Sequence, residues 1–392
     1  MVMKKVRLGI IGMGNMGSGH LQSVIDGQCE KIEVTAVADI DPAKLEVIRE
    51  KSTSAVCFTD AIEMLDSGLI DAALIAVPHY DHPKYAIECF KRGIHVMTEK
   101  PAGVYVRQVR EMNEAAVKSG VKFAIMFNQR TNPLFAKARE IVQSGMLGQP
   151  KRLVWIVTNW YRTQAYYDSG SWRATWNGEG GGVLLNQAPH NLDLWQWIFG
   201  MPKKIRAFCS IGKYHNIGVE DYVTIYGEYD NGATAVFIST TGEAPGTNRL
   251  EISGDLGKLV LEDGKLKWWK LAVPEREFCF TSDEGFFVPE TTYEEFTADE
   301  PDGHPILLNN FADSILEDKE LIANGCEGIN SLAISNAAYI SSWTDNWAEI
   351  PTDEALFEDH LLNLCRKEKN DKQIVKSSDS PEGLSERWKV RW

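Results

Sequence analysis

The sequence predicts an α/β protein of two domains, and three observations predict it. The first third alternates short apolar runs with amphipathic stretches, the pattern of a parallel sheet with crossover helices. After about Asn128 the rhythm changes to β-branched and alternating runs parted by turn residues, the pattern of a mostly antiparallel sheet joined by helices. The length of 392 residues suits two or three domains at about 150 residues each. The expected division is a parallel-sheet domain over 1–128, an α+β domain over 129–368 and a charged, Ser-rich tail over 369–392.

Val6–Ile11 reads as the first strand and Val34–Ala38 as the second. Asp41 caps the next helix with Pro42 at its first position, where a missing N–H costs nothing. A weaker strand lies near Ala55–Phe58, and Asp60 and Glu63 are spaced as a capping box for a short helix. Ala72–Val77 is a strong apolar run, Tyr80–Arg92 a helix ended by Gly93, and Ile94–Met97 the next strand. A further helix stops at Gly120, and Lys122–Phe127 completes six strands. Helix Pro133–Ser144, strand Arg152–Asn159 and helix Pro189–Phe199 open the second domain. Strands from Lys204 to Trp269 follow, with hairpin turns at Asp230-Asn231-Gly232, Gly254-Asp255 and Asp263-Gly264. Helices are expected over Pro305–Asp318, Glu327–Asn346 and Glu354–Lys369, and Trp388 and Trp392 suggest that part of the tail docks.

Acidic residues outnumber basic ones by 55 to 41, a net charge of −14. Such a chain lacks the lysines and arginines that phosphate backbones and anionic membranes require. No stretch approaches the roughly 18 apolar residues of a membrane span. Lys4, Lys5 and Arg7 before an apolar run imitate a signal peptide, but the run breaks into glycines, so none is expected. The seven cysteines are scattered and form no C-x-x-C pair, which fits reduced thiols in a cytoplasm, with no disulfide framework and no zinc knuckle.

Gly12-Met13-Gly14-Asn15-Met16-Gly17 is a G-x-G-x-x-G between a strand and a helix, the context that a Rossmann dinucleotide site needs. Gly12 permits the tight turn, Gly14 lets the backbone approach a pyrophosphate, and Gly17 lets helix and strand pack closely. Asp39 ends the second strand 22 residues after Gly17, where a carboxylate accepts a ribose diol and repels a 2′-phosphate, so NAD is favoured over NADP. Glu99-Lys100-Pro101 follows the fifth strand, at the edge that faces the ligand crevice in open parallel sheets. Gly180-Gly181-Gly182 leads to Asn186-Gln187-Ala188-Pro189-His190-Asn191-Leu192-Asp193. With Pro189 opening the helix, His190 and Asp193 share a face, and the helix dipole disfavours an imidazolium at His190. His79 and His82 form an H-x-x-H with no further ligand in reach by periodicity, and no metal is expected.

Taken in this order and spacing, the Gly-rich loop, the Glu-Lys-Pro and the Gly-rich stretch before His-x-x-Asp resemble the Gfo/Idh/MocA family of oxidoreductases, over nearly the whole chain to about residue 365. The resemblance implies a Rossmann domain, a second domain with a large open sheet that helps form dimers or tetramers, and hydride exchange between nicotinamide and a secondary alcohol. It also implies that Lys100 is the active-site lysine, often in a cis Lys-Pro peptide, that His190 is the catalytic histidine, and that Asp193 is the acidic residue after it. Many members carry aspartate where this chain has the neutral Asn186, so a Lys–Asp–His relay is not carried over whole; many carry asparagine at His79. The cofactor contacts so expected are Gly12, Gly14, Asn15, Met16, Gly17, Asp39, Pro78, His79, His82, Glu99, Lys100 and Gln129.

A neutral His190 can take the hydroxyl proton while Lys100 stabilises charge on the same oxygen. Trp155, Trp160, Tyr161, Tyr166, Tyr167, Trp172 and Trp176 put seven aromatics into 22 residues, interleaved with Arg162 and Arg173 and preceded by Gln129-Arg130. Aromatic faces suit the C–H faces of sugar rings, and Arg and Gln suit hydroxyls, a carboxylate or a sulfonate. The same aromatics also suit core packing and a subunit interface. The expected substrate contacts are Lys100, Arg130, Tyr161, Arg162, Trp172, Asn186 and His190. The reading is an NAD-dependent dehydrogenase acting on a ring hydroxyl of a sugar, glycoside or cyclitol, such as C3 of a pyranoside. Two alternatives stand beside it. One is a glycosidase that oxidises C3 transiently, with Tyr161, Tyr166 or His79 as a second base; the other is a non-catalytic regulator responsive to NAD or sugar.

Overall fold

The computed structural model describes residues 4–51, 54–299 and 301–368. The chain divides into two compact units, Met1–Thr131 with Pro301–Leu332, and Asn132–Glu300 with the chain from Ala333 onward. In the first, β1 (Val6–Ile11), α1 (Asn15–Ile25), β2 (Ile32–Ala38), α2 (Pro42–Glu50), β3 (Val56–Phe58) and α3 (Ala61–Asp66) alternate. They are followed by β4 (Ala72–Ile75), α4 (Asp81–Lys91), β5 (His95–Thr98), α5 (Val106–Ser119) and β6 (Phe123–Ile125). The six strands pair in parallel in the order β3-β2-β1-β4-β5-β6. Leu8, Ile10 and all of β4 are buried, as a sheet covered on both faces requires. Strand order reverses between β1 and β4, so the segments after β1, β4 and β5 leave the sheet at the carboxyl edge where such folds bind ligands. Local chemistry starts the helices as expected: Asp41 accepts from the Ala43 N–H ahead of α2, and Asp60 from the Ile62 N–H ahead of α3.

In the second unit, α6 (Pro133–Gln143) starts on an Asn132 cap and leads to β7 (Pro150–Val157), α7 (Gln164–Asp168) and α8 (Pro189–Phe199). Then come β8 (Lys204–Ile211), β9 (Glu220–Glu228), β10 (Thr234–Thr240), β11 (Asn248–Gly254), β12 (Gly257–Glu262), β13 (Lys265–Leu271), α9 (Glu275–Thr281) and β14 (Thr291–Thr297). The chain closes with α10 (Gly303–Glu317) of the first unit, α11 (Gly328–Thr344), β15 (Ala348–Glu349) and α12 (Glu354–Lys367). Nine strands form one sheet in the order β14-β13-β12-β11-β7-β10-β9-β8-β15, antiparallel throughout except for the β7–β10 pair. The three expected hairpin turns join β9 to β10, β11 to β12 and β12 to β13, whereas β14, with its Thr-rich alternation, was not anticipated. In the core of this sheet Trp195 stacks on Phe237, and Trp155 meets the same ring edge-on.

Contiguity of the second domain does not hold. Residues 301–332 belong to the first unit because β6 would otherwise be a free edge, which proteins cover. Asn324 bridges to Ala124, the Ile125 N–H donates to the Ala323 carbonyl (3.2 Å), and the Asn113 amide donates to the Cys326 carbonyl. The expected tail, with Trp388 and Trp392, lies outside the described residues. No helix among the described residues is long and apolar enough to cross a membrane.

Candidate active site

The three glycines of the loop after β1 are needed for three different reasons. Gly12 has φ +94°, and a Cβ there would lie 2.5 Å from the Ala76 carbonyl oxygen. A Cβ on Gly17 would lie 1.9 Å from the Gly12 carbonyl oxygen. Gly14 is different: at φ −76° its backbone suits any residue, and a Cβ would meet nothing within 4 Å. The protein's own packing therefore makes no demand for glycine at Gly14. Asn15 and Met16 open α1, which has no side-chain cap and no acidic residue in its first turn, leaving N–H groups and dipole for an anion. Asp39 ties β2 to this loop by accepting from the Met13 N–H (2.7 Å) and the Asp41 N–H (2.9 Å), with Lys44 Nζ 3.2 Å away. Lys44 also reaches the second oxygen, Oδ1, at 3.3 Å, so the carboxylate is held at the carboxyl end of β2 with both oxygens engaged.

Glu99, Lys100 and Pro101 follow β5 with a cis Lys100–Pro101 peptide, and two buried histidines grip them. On one side His20 Nε2, from α1, donates to Glu99 Oε1 at 2.7 Å, and the His304 ring of α10 packs on His20 with centroids 5.6 Å apart. On the other, the two ring nitrogens of His82 lie 2.7 Å from the Pro101 carbonyl oxygen and 2.8 Å from that of Val77. His82, expected as a cofactor contact, thus joins the ends of β4 and β5 through backbone, and burial pushes its pKa down. Pro78 and His79 lie in the turn after β4, and the His79 ring centroid is 6.0 Å from that of His82. Lys100 is half-buried. Gln129, in the helical turn after β6, keeps a buried Oε1 without a hydrogen-bond partner among the described residues.

Arg130 needs correcting as a substrate group. Its side chain is 1% exposed, pairs with Glu327 and lies over the Phe127 ring, so it fastens the 301–332 segment within its own unit. A guanidinium so buried keeps its counter-ion rather than meeting a ligand.

In the second unit the Gly-rich stretch is wedged against β9 and α11. A Cβ on Gly182 would lie 1.9 Å from the Glu220 carbonyl oxygen, and one on Gly181 2.1 Å from the Tyr339 hydroxyl. The buried Glu220 carboxylate accepts from the Gly182 N–H (2.9 Å), the Leu184 N–H (3.0 Å) and the Tyr339 hydroxyl (2.7 Å). Beyond it, Glu179, 2% exposed, accepts from the Ala174 N–H (2.6 Å) and from the Asn186 side-chain amide. Glu179 can only accept, so the Asn186 Nδ2 faces it and Oδ1 takes the Tyr166 hydroxyl (3.3 Å) and the Gln187 amide (3.1 Å). Asn186 is neutral, yet a carboxylate sits one hydrogen bond away. Pro189 then opens α8 with His190 as its second residue, and the buried Asp193 accepts from the Gln196 amide (3.0 Å).

The aromatic segment sorts residue by residue. Trp155, Trp160, Tyr167 and Trp176 are buried and belong to the core, while Tyr161 is 49% exposed and Tyr166 and Trp172 are half-buried. His20, Glu179, Glu220 and His304 went unnoticed in the sequence. Only His20 had a local signal, as a polar residue one turn beyond Gly17 on the inner side of α1.

Two family models match: an oxidoreductase family with an NAD-binding Rossmann fold over residues 6–127, and a GFO/IDH/MocA C-terminal domain over residues 135–260. The chain belongs to the Gfo/Idh/MocA family. It is 25% identical over 338 residues to the inositol 2-dehydrogenase of Rhizobium meliloti (strain 1021), covering 85% of this chain and 96% of that one. It is 27% identical over 209 residues to the rhizopine catabolism protein MocA of Rhizobium meliloti, a match spanning 53% of this chain and 62% of that protein. Among solved structures it is similar to the WlbA dehydrogenase from Bordetella pertussis in complex with NADH and UDP-GlcNAcA, with TM-score 0.76, 26% identity, and 89% and 100% of the two chains covered.

As a Gfo/Idh/MocA oxidoreductase the protein takes NAD as its cofactor. The open face at Gly14, the uncapped start of α1 and the carboxylate of Asp39 fit a dinucleotide.

Acid acts oppositely on two groups of this family member. Burial pushes His304 down to about 4, helped by the neighbouring His20 charge. Burial pushes Glu220 up to about 7, against the pull of its donors. The stability His304 contributes is present above the ordinary histidine pKa of 6.5 and is lost as pH falls through about 4. The Glu220 contribution is present below the ordinary 4.5 and is lost as pH rises through about 7. Urea unfolding between those limits is expected to show a smaller loss on acidification for His304→Phe than for the parent. Glu220→Gln is expected to remove part of the loss on alkalinisation. Identical pH slopes for parent and variants would contradict both assignments.

Proposed function

We propose that the protein oxidises a secondary ring hydroxyl of a sugar, glycoside or cyclitol, with His190 as the base. The observation that carries the reading is the position of His190 in the first turn of α8, behind a stretch held by Glu179, Asn186 and Gln187. NAD, when bound, accepts the hydride that leaves the carbinol carbon. His190 takes the hydroxyl proton, a contribution of about 10² to 10⁴ in rate. Lys100, aimed by a peptide that His20, through Glu99, and His82 both fasten, places an ammonium for the oxygen that gains negative charge. Asp39 binds the ribose diol, Gly14 admits the pyrophosphate, and Pro78, His79 and Gln129 complete the cofactor side. Tyr161, Trp172 and Asn186 meet the ring. An inositol dehydrogenase relative and a WlbA structure holding NADH and UDP-GlcNAcA support a polyol or sugar substrate.

A screen of cyclitols, monosaccharides, anhydrosugars and aryl glycosides, reading NADH absorbance and phenol release together, tests the reading. NADH formed from at least one polyol is expected. Phenol released with no accumulated NADH indicates instead the glycosidase, for which the Tyr166 hydroxyl, accepting from Arg173 at 2.9 Å, is one candidate second base. Silence across the panel with retained NADH binding would overturn both and leave the regulator.

A further inference from the structure

The stretch that leads to His190 is held by a single residue of another strand. Gly182, Val183 and Leu184 present three successive backbone N–H groups, and Glu220, at the start of β9, accepts from all of them. Its carboxylate takes Gly182 (2.9 Å) and Leu184 (3.0 Å), and its backbone carbonyl takes Val183 (3.1 Å). The Tyr339 hydroxyl of α11 shares Oε1 with the Leu184 N–H, while Oε2 serves Gly182. Asp221, the next residue, holds the N–H groups of Lys213, Tyr214 and His215. That turn fastens Arg162, whose carbonyl oxygen lies 2.9 Å from His215 Nε2, and it does not lead to α8.

The residues that Glu220 holds pass the constraint forward. The Gly182 carbonyl accepts from the Asn186 backbone N–H (2.9 Å), and the Val183 carbonyl from the Ala188 N–H (2.8 Å). Ala188 is the N-cap of α8, directly ahead of Pro189 and His190, and the proline ring fixes the backbone between them. An unbroken run of hydrogen bonds therefore joins the Glu220 carboxylate to the turn that carries His190. The choice of side chain is specific. Glu220 is fully buried, and an apolar residue there would leave two loop N–H groups without acceptors in the interior. A glutamine has one acceptor oxygen, so its NH2 would be set against one of the donors. Only a carboxylate accepts on both oxygens.

We infer that Glu220 is a positioning residue, which sets the place of His190 by holding the N–H groups of Gly182 and Leu184. This rests on the reading of His190 as the base. The test compares Glu220→Gln with Tyr339→Phe, which takes a donor from the same carboxylate and leaves both loop contacts in place. Glu220→Gln is expected to lower kcat by about tenfold or more, since a displacement of about 1 Å in a reacting group is worth up to about 10²-fold. Its KM and NADH dissociation constant should stay within about twofold of the parent, and Tyr339→Phe should keep kcat within about threefold. In a His190→Ala background the further loss caused by Glu220→Gln should fall below about twofold, because the residue acts through His190. A second readout needs no turnover. With 13C-labelled histidine rings, the His190 signal is identified by its disappearance in His190→Ala. It is expected to move in Glu220→Gln and to hold in Tyr339→Phe. An unmoved ring signal, equal kcat losses in the two variants, or the same fractional loss with and without His190 overturns the inference. A protein that turns over no polyol but whose His190 signal moves as expected keeps the clamp and removes the dehydrogenase. Turnover with an unmoved signal does the reverse.

Discussion

Replacing His190 by alanine is expected to lower kcat by about 10² to 10⁴ while leaving the NADH dissociation constant within about twofold of the parent. The size follows from the role. A base that removes the hydroxyl proton acts only as the hydride departs, so its loss falls on the chemical step and not on cofactor binding. His190 stands in the first turn of α8, outside residues 6–127 that match the NAD-binding family model. The core beneath α8 is built from Leu192, Trp195 and Ile198, all fully buried, so the variant should fold. Steady-state kinetics with the best substrate from the screen, alongside NADH fluorescence titration, checks it. Equal losses in turnover and NADH affinity would show that His190 holds the fold or the cofactor instead.

The second large effect sets Gly17→Ala against Gly14→Ala. At Gly17 a methyl group arrives 1.9 Å from a backbone oxygen, and neither α1 nor β1 can retreat without breaking the sheet's helix packing. The expected outcome is loss of about 1–3 kcal/mol or more of stability together with loss of NAD binding. At Gly14 the same methyl meets no protein atom within 4 Å, so the melting temperature is expected to hold. Affinity for NAD should nevertheless fall by about tenfold or more, because the methyl occupies the approach to the pyrophosphate. Thermal unfolding and NADH titration of the two variants decide it. A Gly14→Ala protein with parental affinity would mean that the dinucleotide does not cross this loop.

The contrast between those glycines marks how far residue order alone could go. All three belong to one motif, and the roles assigned from spacing to Gly12, a turn, and to Gly17, a close approach of helix to strand, agree with the geometry. Such roles are legible because each depends on a strand, a turn and a helix that follow one another directly. The Pro189 start of α8, the Asp41 cap and the hairpins at 230–232 and 263–264 are legible for the same reason. Arg130 was misjudged because its ion-pair partner, Glu327, lies 197 residues away. The aromatic segment resisted sorting because Trp155 and Tyr161 differ in burial, not in type.

Local order therefore determined the alternation of strands and helices, the glycine loop, the Glu99-Lys100-Pro101 turn and the helix bearing His190, since backbone propensity and capping act over a few residues. Long-range packing decided the rest. Only folding brings His20 to Glu99 across 79 positions, places His304 against that pair, and lays 301–332 along the bare edge of β6. Burial is the physical reason. A carboxylate or guanidinium removed from water must find a partner wherever the fold supplies one, and no local pattern records which residue that will be.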